Sequence, residues 1–403
     1  MADLEADLRA WLASEGAAKL GARAQGPGSG ASDVEFVSAS VGLGSVGEEG
    51  EERGVLAAAS GSGDGPVLAI AEGTVVVRVP VELTISLETA RSSESAIAPL
   101  LVGDHEVAKA LNRSRRRDDV LALHLVTQRA LGTDAFWAPH IALLPAAYPG
   151  QLLSFSDEEA AELAGANLAV IRQQLIEQVE DDWRNLVDLL EEAATGDGGA
   201  GTSSVGAAAE ANDSDPAACA AEAALAALTL EAYRWALMTI WSRSMDFGDS
   251  RHIVPFGDMF NHDPTIATPV HMLDVSSGCV VVAAARDYSA GEEVCISYAP
   301  GGRSNDRLLQ LYGFVLASNP ANAVSLWSGM SPLAEGFAAK AALLLDLGID
   351  TQSPFRLTEA APIPYTLLLA LAIQVGLALS LSLSLSLSLS LSVLPCVGAV
   401  CAV

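Results

Sequence analysis

Three polar residues that could take part in chemistry follow an apolar run in the second half of the sequence. The segment VPFGDMFNHDP, Val254 to Pro264, contains Asp258 and then Asn261 and His262 side by side. Polar and charged side chains are costly to bury unless they find partners. An acid, an amide and an imidazole at the end of an apolar run therefore indicate a functional site rather than an ordinary core strand.

Two tyrosines lie farther along the chain, in YSAGEEVCISYAPGGRSNDRLLQLYGFV, Tyr288 to Val315. This segment predicts a turn at Ala290-Gly291, a strand that ends at Tyr298, a glycine-rich loop and a helix that contains Tyr312. Together with the polar residues of the apolar run, the two tyrosines suggest a narrow, water-poor channel that orients a cation.

The elements that must position these residues begin with a helix and two strands. An N-terminal helix is predicted from Leu4, Leu8, Trp11 and Leu12, which fall at helical spacing. The segment from Thr74 to Ser86 is rich in β-branched residues and contains a proline. It therefore predicts a strand, a break and a second strand.

Helical patterns dominate from about residue 118 to 193 and return in LEAYRWALMTIWSRSM. Within the first of these regions, Ser156 and Glu159 form the capping-box pattern that begins a helix. Residues 195–216 are rich in small and polar residues and predict a flexible loop. Short strands are then predicted in HIVPFGDMF, GCVVVAAARDY and EEVCISYA. This order favours one β-domain with a helical insertion over two tandem domains.

The composition restricts the possible partners. The chain of 403 residues has a formal net charge of −28, which argues against nucleic-acid binding because such binding relies on Lys and Arg to neutralise phosphates. A lysine-rich protein partner is compatible, since an acidic surface attracts it. The cysteine spacing predicts neither a structural zinc site nor a disulfide framework, and no metal is expected. The five cysteines are Cys219, Cys279, Cys295, Cys396 and Cys401.

The residues at the two ends of the sequence do not predict a cellular location. The first residues include Asp3, Glu5 and Asp7 and no apolar core, unlike a signal or transit peptide. Residues 360–403 have no charge, and Leu379 to Ser392 is a strict Leu-Ser alternation. A membrane span is possible by length, but a dipeptide repeat without flanking Lys or Arg favours a low-complexity segment. Cytoplasm, nucleus and chloroplast all stay open.

Several motifs together resemble a known family. The Asn-His pair is followed by AGEEVCISY and SNDRLLQLYGF. Ala299 follows Tyr298, where the related motif usually has glycine. AFWAPHIALLP resembles a signature FW-x-PY-x-x-LP, with His140 where Tyr is usual. ERGVLAA has Glu52 where the related motif has its first glycine. These segments resemble the SET-domain methyltransferases, in the branch named for the Rubisco large-subunit lysine methyltransferase. The resemblance covers roughly residues 50–360, including the helical SFSDEEAAELAGANL and EAYRWALMTIWSRSM.

The resemblance implies an α+β fold in which a SET-domain β-fold of short strands with a pseudoknot carries a helical insert and a truncated C-terminal helical domain. Together with the residue patterns at the two ends of the chain, it predicts six parts: an N-terminal helix and linker (1–33), the N-terminal part of the SET domain (34–117), the helical SET insert with a flexible loop at 195–216 (118–239), the catalytic C-terminal part of the SET domain (240–318), a partial C-terminal helical substrate-binding domain (319–375) and the low-complexity Leu-Ser tail (376–403).

The resemblance also implies a reaction and the residues that perform it. The family transfers a methyl group from S-adenosylmethionine to lysine, so the expected partner is a non-histone protein with a target lysine, and a monomer is the expected state. Tyr298 is the expected catalytic residue, and Asp258 and Tyr312 would line the lysine channel. The expected cofactor-binding residues are Glu51, Arg53, Gly54, Arg243, Asn261 and His262.

Two alternatives to a lysine methyltransferase stay open. A sister branch of the same family methylates histidine on actin, which would change the target side chain. Tyr312 in LYGF favours lysine. The chain could also be a non-catalytic SET-fold binding module that holds partners through its helical domain.

Overall fold

The computed structural model describes residues 2–23, 35–46, 52–58, 68–103, 106–113, 117–195, 215–299, 301–350 and 353–375. The chain divides into two compact units, Met1–Gly301 with Asp306–Val315, and Gly302–Asn305 with Leu316–Val403. Glu51, residues 196–214 of the predicted flexible loop and the tail from 376 to 403 lie outside the described residues. The six-part division implied by the sequence stays a prediction.

Short antiparallel strands form four small sheets in the described part of the first unit. Their strand orders are β1-β2-β11, β3-β10, β4-β9-β8 and β5-β7-β6. The strands are β1 (Val41–Val46), β2 (Glu52–Ala57), β3 (Leu68–Ile70), β4 (Val75–Pro80), β5 (Ile85–Ser86), β6 (Ser244–Phe247), β7 (Ser250–Ile253), β8 (His271–Asp274), β9 (Cys279–Ala283), β10 (Tyr288–Ser289) and β11 (Glu293–Val294).

β-Branched residues from the strands contribute much of the core of these sheets. β9 lies between β4 and β8, and its consecutive residues Val280, Val281 and Val282 are all buried. β4 ends at Pro80, which lacks a backbone N–H and leads into a short 3₁₀ turn at Val81–Leu83 before β5. The predicted strand, break and strand are therefore confirmed.

The helices of the first unit precede, interrupt and follow these strands. They are α1 (Ala2–Arg23), α2 (Ala98–Leu101), α3 (Glu106–Leu111), α4 (Arg117–Leu131), α5 (Ala138–Ile141), α6 (Asp157–Ala161), α7 (Asn167–Thr195), α8 (Pro216–Ala227), α9 (Leu230–Arg243) and α10 (Asn305–Tyr312). α4, α7, α8 and α9 pack on one another around a core that includes Trp137 and Tyr233. The predicted helical insertion between two groups of strands, and with it the α+β class, is confirmed.

Local sequence signals fix some helix ends and miss others. Ser156 and Glu159 form the predicted capping box at the start of α6. The helix predicted to continue from there is interrupted, because Gly165 has a φ of +84° between α6 and α7. Leu8 and Leu12 of α1 are buried as their spacing predicts, while Leu4 is partly exposed.

Two predicted boundaries near the polar cluster of the sequence are wrong. The helix predicted through LEAYRWALMTIWSRSM ends at Arg243, and the next residues form β6. HIVPFGDMF is a strand only to Ile253; beyond it the chain turns, with 3₁₀ geometry at Gly257–Met259. The residues from 254 to 260 are all buried, as in a core strand, but burial alone does not define a strand.

The described part of the second unit has its own small core. β12 (Ala323–Leu326) pairs with β13 (Phe355–Thr358), and α11 (Phe337–Asp346) packs on α12 (Tyr365–Val375). The buried residues of this core are Leu344, Ile349, Phe355, Leu367, Ala370 and Ile373. Across the described ranges of both units, no helix combines the length and the apolar character that a membrane span requires.

Candidate active site

A strained turn follows β7 and positions the first polar residue. Phe256 is fully buried and has a φ of +64°, a conformation that costs roughly 1–3 kcal/mol for a non-glycine residue. The backbone N–H of Asp258 donates to the carbonyl of Val254 at 2.9 Å, which closes the turn. The guanidinium of Arg9 in α1 lies 5.0 Å from the centre of the Phe256 ring. The N-terminal helix therefore packs against the residue whose backbone is strained.

Two distant segments pair immediately after this turn. Ile296 donates its N–H to the carbonyl of Asn261, and Asp263 donates to the carbonyl of Ile296, both at 2.9 Å. The bridge between His262 and Ile296 is parallel, unlike the antiparallel sheets around it. This pairing brings the Asn-His pair next to the strand that ends at Tyr298.

Asn261 ties this crossing to β2 and β11. Its Nδ2 donates to the carbonyl of Arg53 at 3.1 Å and to Oε1 of Glu293 at 2.9 Å. A Cβ on Gly54, beside Arg53, would lie 2.6 Å from the same Glu293 oxygen and would displace that side chain from Asn261. Both amide hydrogens of Asn261 are thus used for structure, and its Oδ1 is the atom left to accept a further hydrogen bond.

Three rings gather around Tyr298. Its ring centre lies 4.7 Å from that of Tyr312, 5.2 Å from His262 and 6.4 Å from Phe314. The Tyr298 backbone N–H donates to Nδ1 of His262 at 3.2 Å, and its hydroxyl donates to the carbonyl of Phe260 at 2.8 Å. Burial raises the pKa of the Tyr298 phenol above its ordinary value, and the nearby Arg243 charge only partly offsets this. The hydroxyl is therefore protonated at neutral pH, and its hydrogen is directed at a backbone carbonyl.

A close approach of two backbones places Tyr312 and Phe314 in this cluster. Gly313 lies between them with a φ of +82°, and a Cβ there would lie 2.8 Å from the carbonyl carbon of Gly150. A Cβ on Gly150 would in turn lie 2.3 Å from the carbonyl oxygen of Gly313. Glycine is needed at both positions because no side chain fits between the two chains.

A buried polar group lies beside the ring cluster. Asp258 accepts a hydrogen bond from Nε2 of His140 at 3.1 Å, and both side chains have zero exposure. Nη1 of Arg243 donates to the Asp258 carbonyl at 2.9 Å and approaches its Oδ2 at 3.4 Å. Burial by itself raises the pKa of Asp258, but His140 and Arg243 outweigh it and the pKa is lowered. Asp258 is therefore an ionised carboxylate that anchors a cation.

Two arginines share this single carboxylate. Burial disfavours the charged form of Arg243, but Asp258 together with the nearby Tyr148 and Tyr298 outweighs that effect, and the pKa of Arg243 is raised. Arg53 experiences burial and the repulsion of Arg243, and its pKa is lowered despite Asp258. Nη1 of Arg53 donates to the carbonyl of Leu143 at 2.6 Å. The site thus carries a positive charge on the side of Arg53 and Arg243.

Most residues predicted from the sequence come together in this region. Those within it are Arg53, Gly54, Arg243, Asp258, Asn261, His262, Tyr298 and Tyr312. The remaining predicted residue, Glu51, lies outside the described residues. The side chain of Asp258 is enclosed between His140 and Arg243 and contacts both, and its role in lining a substrate channel stays a prediction.

Sequence reasoning missed three residues that build the site. His140 differs from the tyrosine usual at its position, and that difference is the sequence feature that could have indicated its role. Phe314 directly follows the Tyr-Gly pair of the LYGF segment, but an apolar residue there gives no sign of ring contact. Glu293 cannot be distinguished by pattern from neighbouring acids such as Glu292, because its contact with Asn261 is long-range.

Comparison with known proteins identifies the family and related structures. The family model described as SET domain matches residues 68–299. The actin-histidine N-methyltransferase of Canis lupus familiaris is 28% identical over 291 residues, covering 70% of this chain and 43% of that protein. The Homo sapiens protein of the same name is 28% identical over 296 residues, covering 70% and 43%. The chain thus spans less than half the length of the curated relatives it matches.

Solved structures with the same fold carry a different description. A crystal structure described as the SET domain of LSMT bound to lysine and AdoHcy has a TM-score of 0.64 at 19% identity, covering 93% of this chain and 71% of the other. A structure of Rubisco LSMT bound to AdoMet has a TM-score of 0.63 at 19% identity, covering 92% and 70%. At such identity the likeness supports the fold, and the fold predicted from the sequence is confirmed.

Proposed function

Because the chain belongs to the SET-domain family, whose model matches more than half of it, we propose that it is an S-adenosylmethionine-dependent protein methyltransferase acting on a lysine side chain. The observation that carries the proposal is the position of Tyr298. Its hydroxyl is held by the Phe260 carbonyl within a cluster of rings, next to the Asn-His crossing. This arrangement suits the alignment of a cationic group and an amine.

The residues around the crossing fit the proposed cofactor. Oδ1 of Asn261 remains as an acceptor for an ammonium group, since the amide hydrogens are already used. Gly54 keeps β2 close to Glu293, the residue that holds the Asn261 amide. Asn261 and His262 would hold the amino-acid part and the adenine, with Arg243 beside them; Glu51, Arg53 and Gly54 would contribute mainly backbone contacts. When bound, S-adenosylmethionine supplies a methyl group on a positively charged sulfur.

The ring cluster would help the target amine lose its proton. A free lysine has a pKa of about 10.4, so making it neutral at pH 7 costs about 4.6 kcal/mol. Removing water from around the amine lowers this cost, because burial disfavours the ammonium form. The rings of Tyr298, Tyr312 and Phe314 form such an apolar wall, and the charges of Arg53 and Arg243 also oppose a second cation nearby.

Positioning rather than strong base catalysis would then lower the barrier. The raised pKa of Tyr298 means that its phenol is not a base at neutral pH. Because its hydrogen is donated to the Phe260 carbonyl, the lone pairs of the phenol oxygen are left to accept weak C–H···O contacts from a methyl group. Holding two reacting groups in line can supply about 7–11 kcal/mol. Tyr298 would therefore act by orienting the methyl group and the incoming amine.

A histidine target is the second candidate, and the names of the related actin-histidine N-methyltransferases favour it. An imidazole has an ordinary pKa of about 6.5 and needs little deprotonation at pH 7, but its second ring nitrogen needs a hydrogen-bond partner. The carboxylate of Asp258, which could accept from that nitrogen, is already enclosed by His140 and Arg243. This contrast supports lysine.

The proposal is tested by following the methyl group. The protein is incubated with tritiated S-adenosylmethionine and a lysate, and the labelled residue is identified by mass spectrometry. Methyl-lysine is the expected product. Methyl-histidine as the product would instead support the histidine target. If calorimetry detected no binding of S-adenosylmethionine at millimolar concentration, the chain would instead be a non-catalytic SET-fold binding module.

A further inference from the structure

His140 lies in a setting unusual for a histidine without a function. Its side chain and that of Asp258 are both completely buried, with Nε2 3.1 Å from Oδ1. An ionised carboxylate can only accept hydrogen bonds, so Nε2 must carry the hydrogen. Nδ1 of His140 is buried and has no hydrogen-bond partner in the described structure. The ring is thus committed to a single contact, the one with Asp258.

That contact fixes a turn from which two site residues are held. Arg243 donates to the backbone carbonyl of Asp258 at 2.9 Å. Two residues later, the carbonyl of Phe260 accepts the hydroxyl of Tyr298 at 2.8 Å. Two residues before Asp258, Phe256 holds a positive φ that the surrounding structure must maintain. The turn is therefore strained at one end and carries site contacts at the other.

We infer that His140 is a positioning residue of the methyl-transfer site. Its hydrogen bond holds the carboxylate of Asp258, and residues 258–260 in turn fix the positions of Arg243 and the Tyr298 hydroxyl. This role rests on the proposed function. Without the His140 donor, one oxygen of a buried carboxylate loses its partner, which is costly for a charged group. The carboxylate would then turn towards Arg243, and the guanidinium and the Phe260 carbonyl would both shift.

Two substitutions of His140 separate the hydrogen bond from the ring. His140→Phe keeps a ring and removes the donor, whereas His140→Gln keeps an N–H donor. The matched control is His124→Phe, since His124 is also fully buried and has one partnered nitrogen, bonded to the Ser95 hydroxyl at 2.9 Å, and one unpartnered nitrogen. All three variants are compared with the wild-type protein in the binding of S-adenosylhomocysteine, measured by calorimetry.

We expect His140→Phe to weaken the binding about tenfold and His140→Gln to stay within about threefold of the wild type. His124→Phe should lower thermal stability without changing the dissociation constant. A purely structural role would make His140→Phe behave like His124→Phe, with a lower melting temperature and wild-type binding. That result, or an equal loss of binding in His140→Gln, would overturn the inference.

Nitrogen-15 NMR of the histidine rings tests the contact independently of the cofactor. The expected form of His140 carries a hydrogen on Nε2. A hydrogen on Nδ1 alone would show that the bond to Asp258 does not form, and would also overturn the inference. If the wild-type protein bound no S-adenosylhomocysteine, the proposed function would fail and the positioning role with it, whereas the tautomer would still report whether His140 holds Asp258.

Discussion

Replacing Gly313 with alanine tests the close approach that brings Tyr312 and Phe314 into the ring cluster. The new Cβ would lie 2.8 Å from the carbonyl carbon of Gly150 and 3.1 Å from the backbone nitrogen of Gln151. A left-handed φ costs alanine about 1 kcal/mol relative to glycine. Crowding against backbone atoms that cannot rotate away adds about 1–3 kcal/mol. We therefore expect Gly313→Ala to lower the free energy of unfolding by about 2–4 kcal/mol.

Gly73→Ala is the matched control because Gly73 has a similar φ of +77° and nothing within 4 Å of an added Cβ. It carries the backbone cost alone, about 1 kcal/mol. Urea titration followed by tryptophan fluorescence gives both free energies. Methyl transfer should fall in Gly313→Ala and not in Gly73→Ala, since only the first moves Tyr312. If the two variants lost equal stability, the two glycine backbones would not approach as described.

Two further variants test neighbouring contacts. Arg9→Ala removes donors to the carbonyls of residues 37, 38 and 41 and the cation over Phe256, so it should lower the free energy of unfolding in urea titration by about 1–3 kcal/mol. The control is Arg184→Ala, at an exposed side chain, which should change that free energy by less than about 0.5 kcal/mol. Equal effects of the two variants would argue against the role of Arg9. Asp258 has a pKa lowered from 3.8, so its carboxylate stabilises the fold above that value and this contribution is lost as the pH falls through the lower folded pKa. The unfolding free energy of the wild type should therefore fall more steeply below about pH 4 than that of Asp258→Asn, and parallel curves would contradict the buried ion pair.

Local patterns were sufficient for much of the fold. The capping box at Ser156 and the β-branched run of β9 act through neighbours in sequence, so the sequence alone indicates them. The turn at Phe256 could not be predicted, because its positive φ depends on contacts with α1 and with the rest of the core. The break at Gly165 shows the limit of helical periodicity, since one glycine φ overrides an otherwise helical pattern.

The same distinction between local patterns and long-range contacts applies to the candidate site. Asn261, His262 and Tyr298 could be proposed because their motif resembles a family, and the structure brings them together through the bridge to Ile296. Their partners could not be proposed. His140 lies 118 residues from Asp258 in the sequence, so no local pattern connects the two.

In the proposed mechanism, the Tyr298 hydroxyl, anchored on the Phe260 carbonyl, orients the methyl group and the amine. The most direct measurement is the rate of methyl transfer by Tyr298→Phe at saturating S-adenosylmethionine, with S-adenosylhomocysteine binding measured alongside. We predict that binding stays within about threefold of the wild type while the rate falls by about 100-fold, the effect of removing one oriented polar group from a site. A variant that binds normally and transfers methyl groups at the wild-type rate would contradict the account.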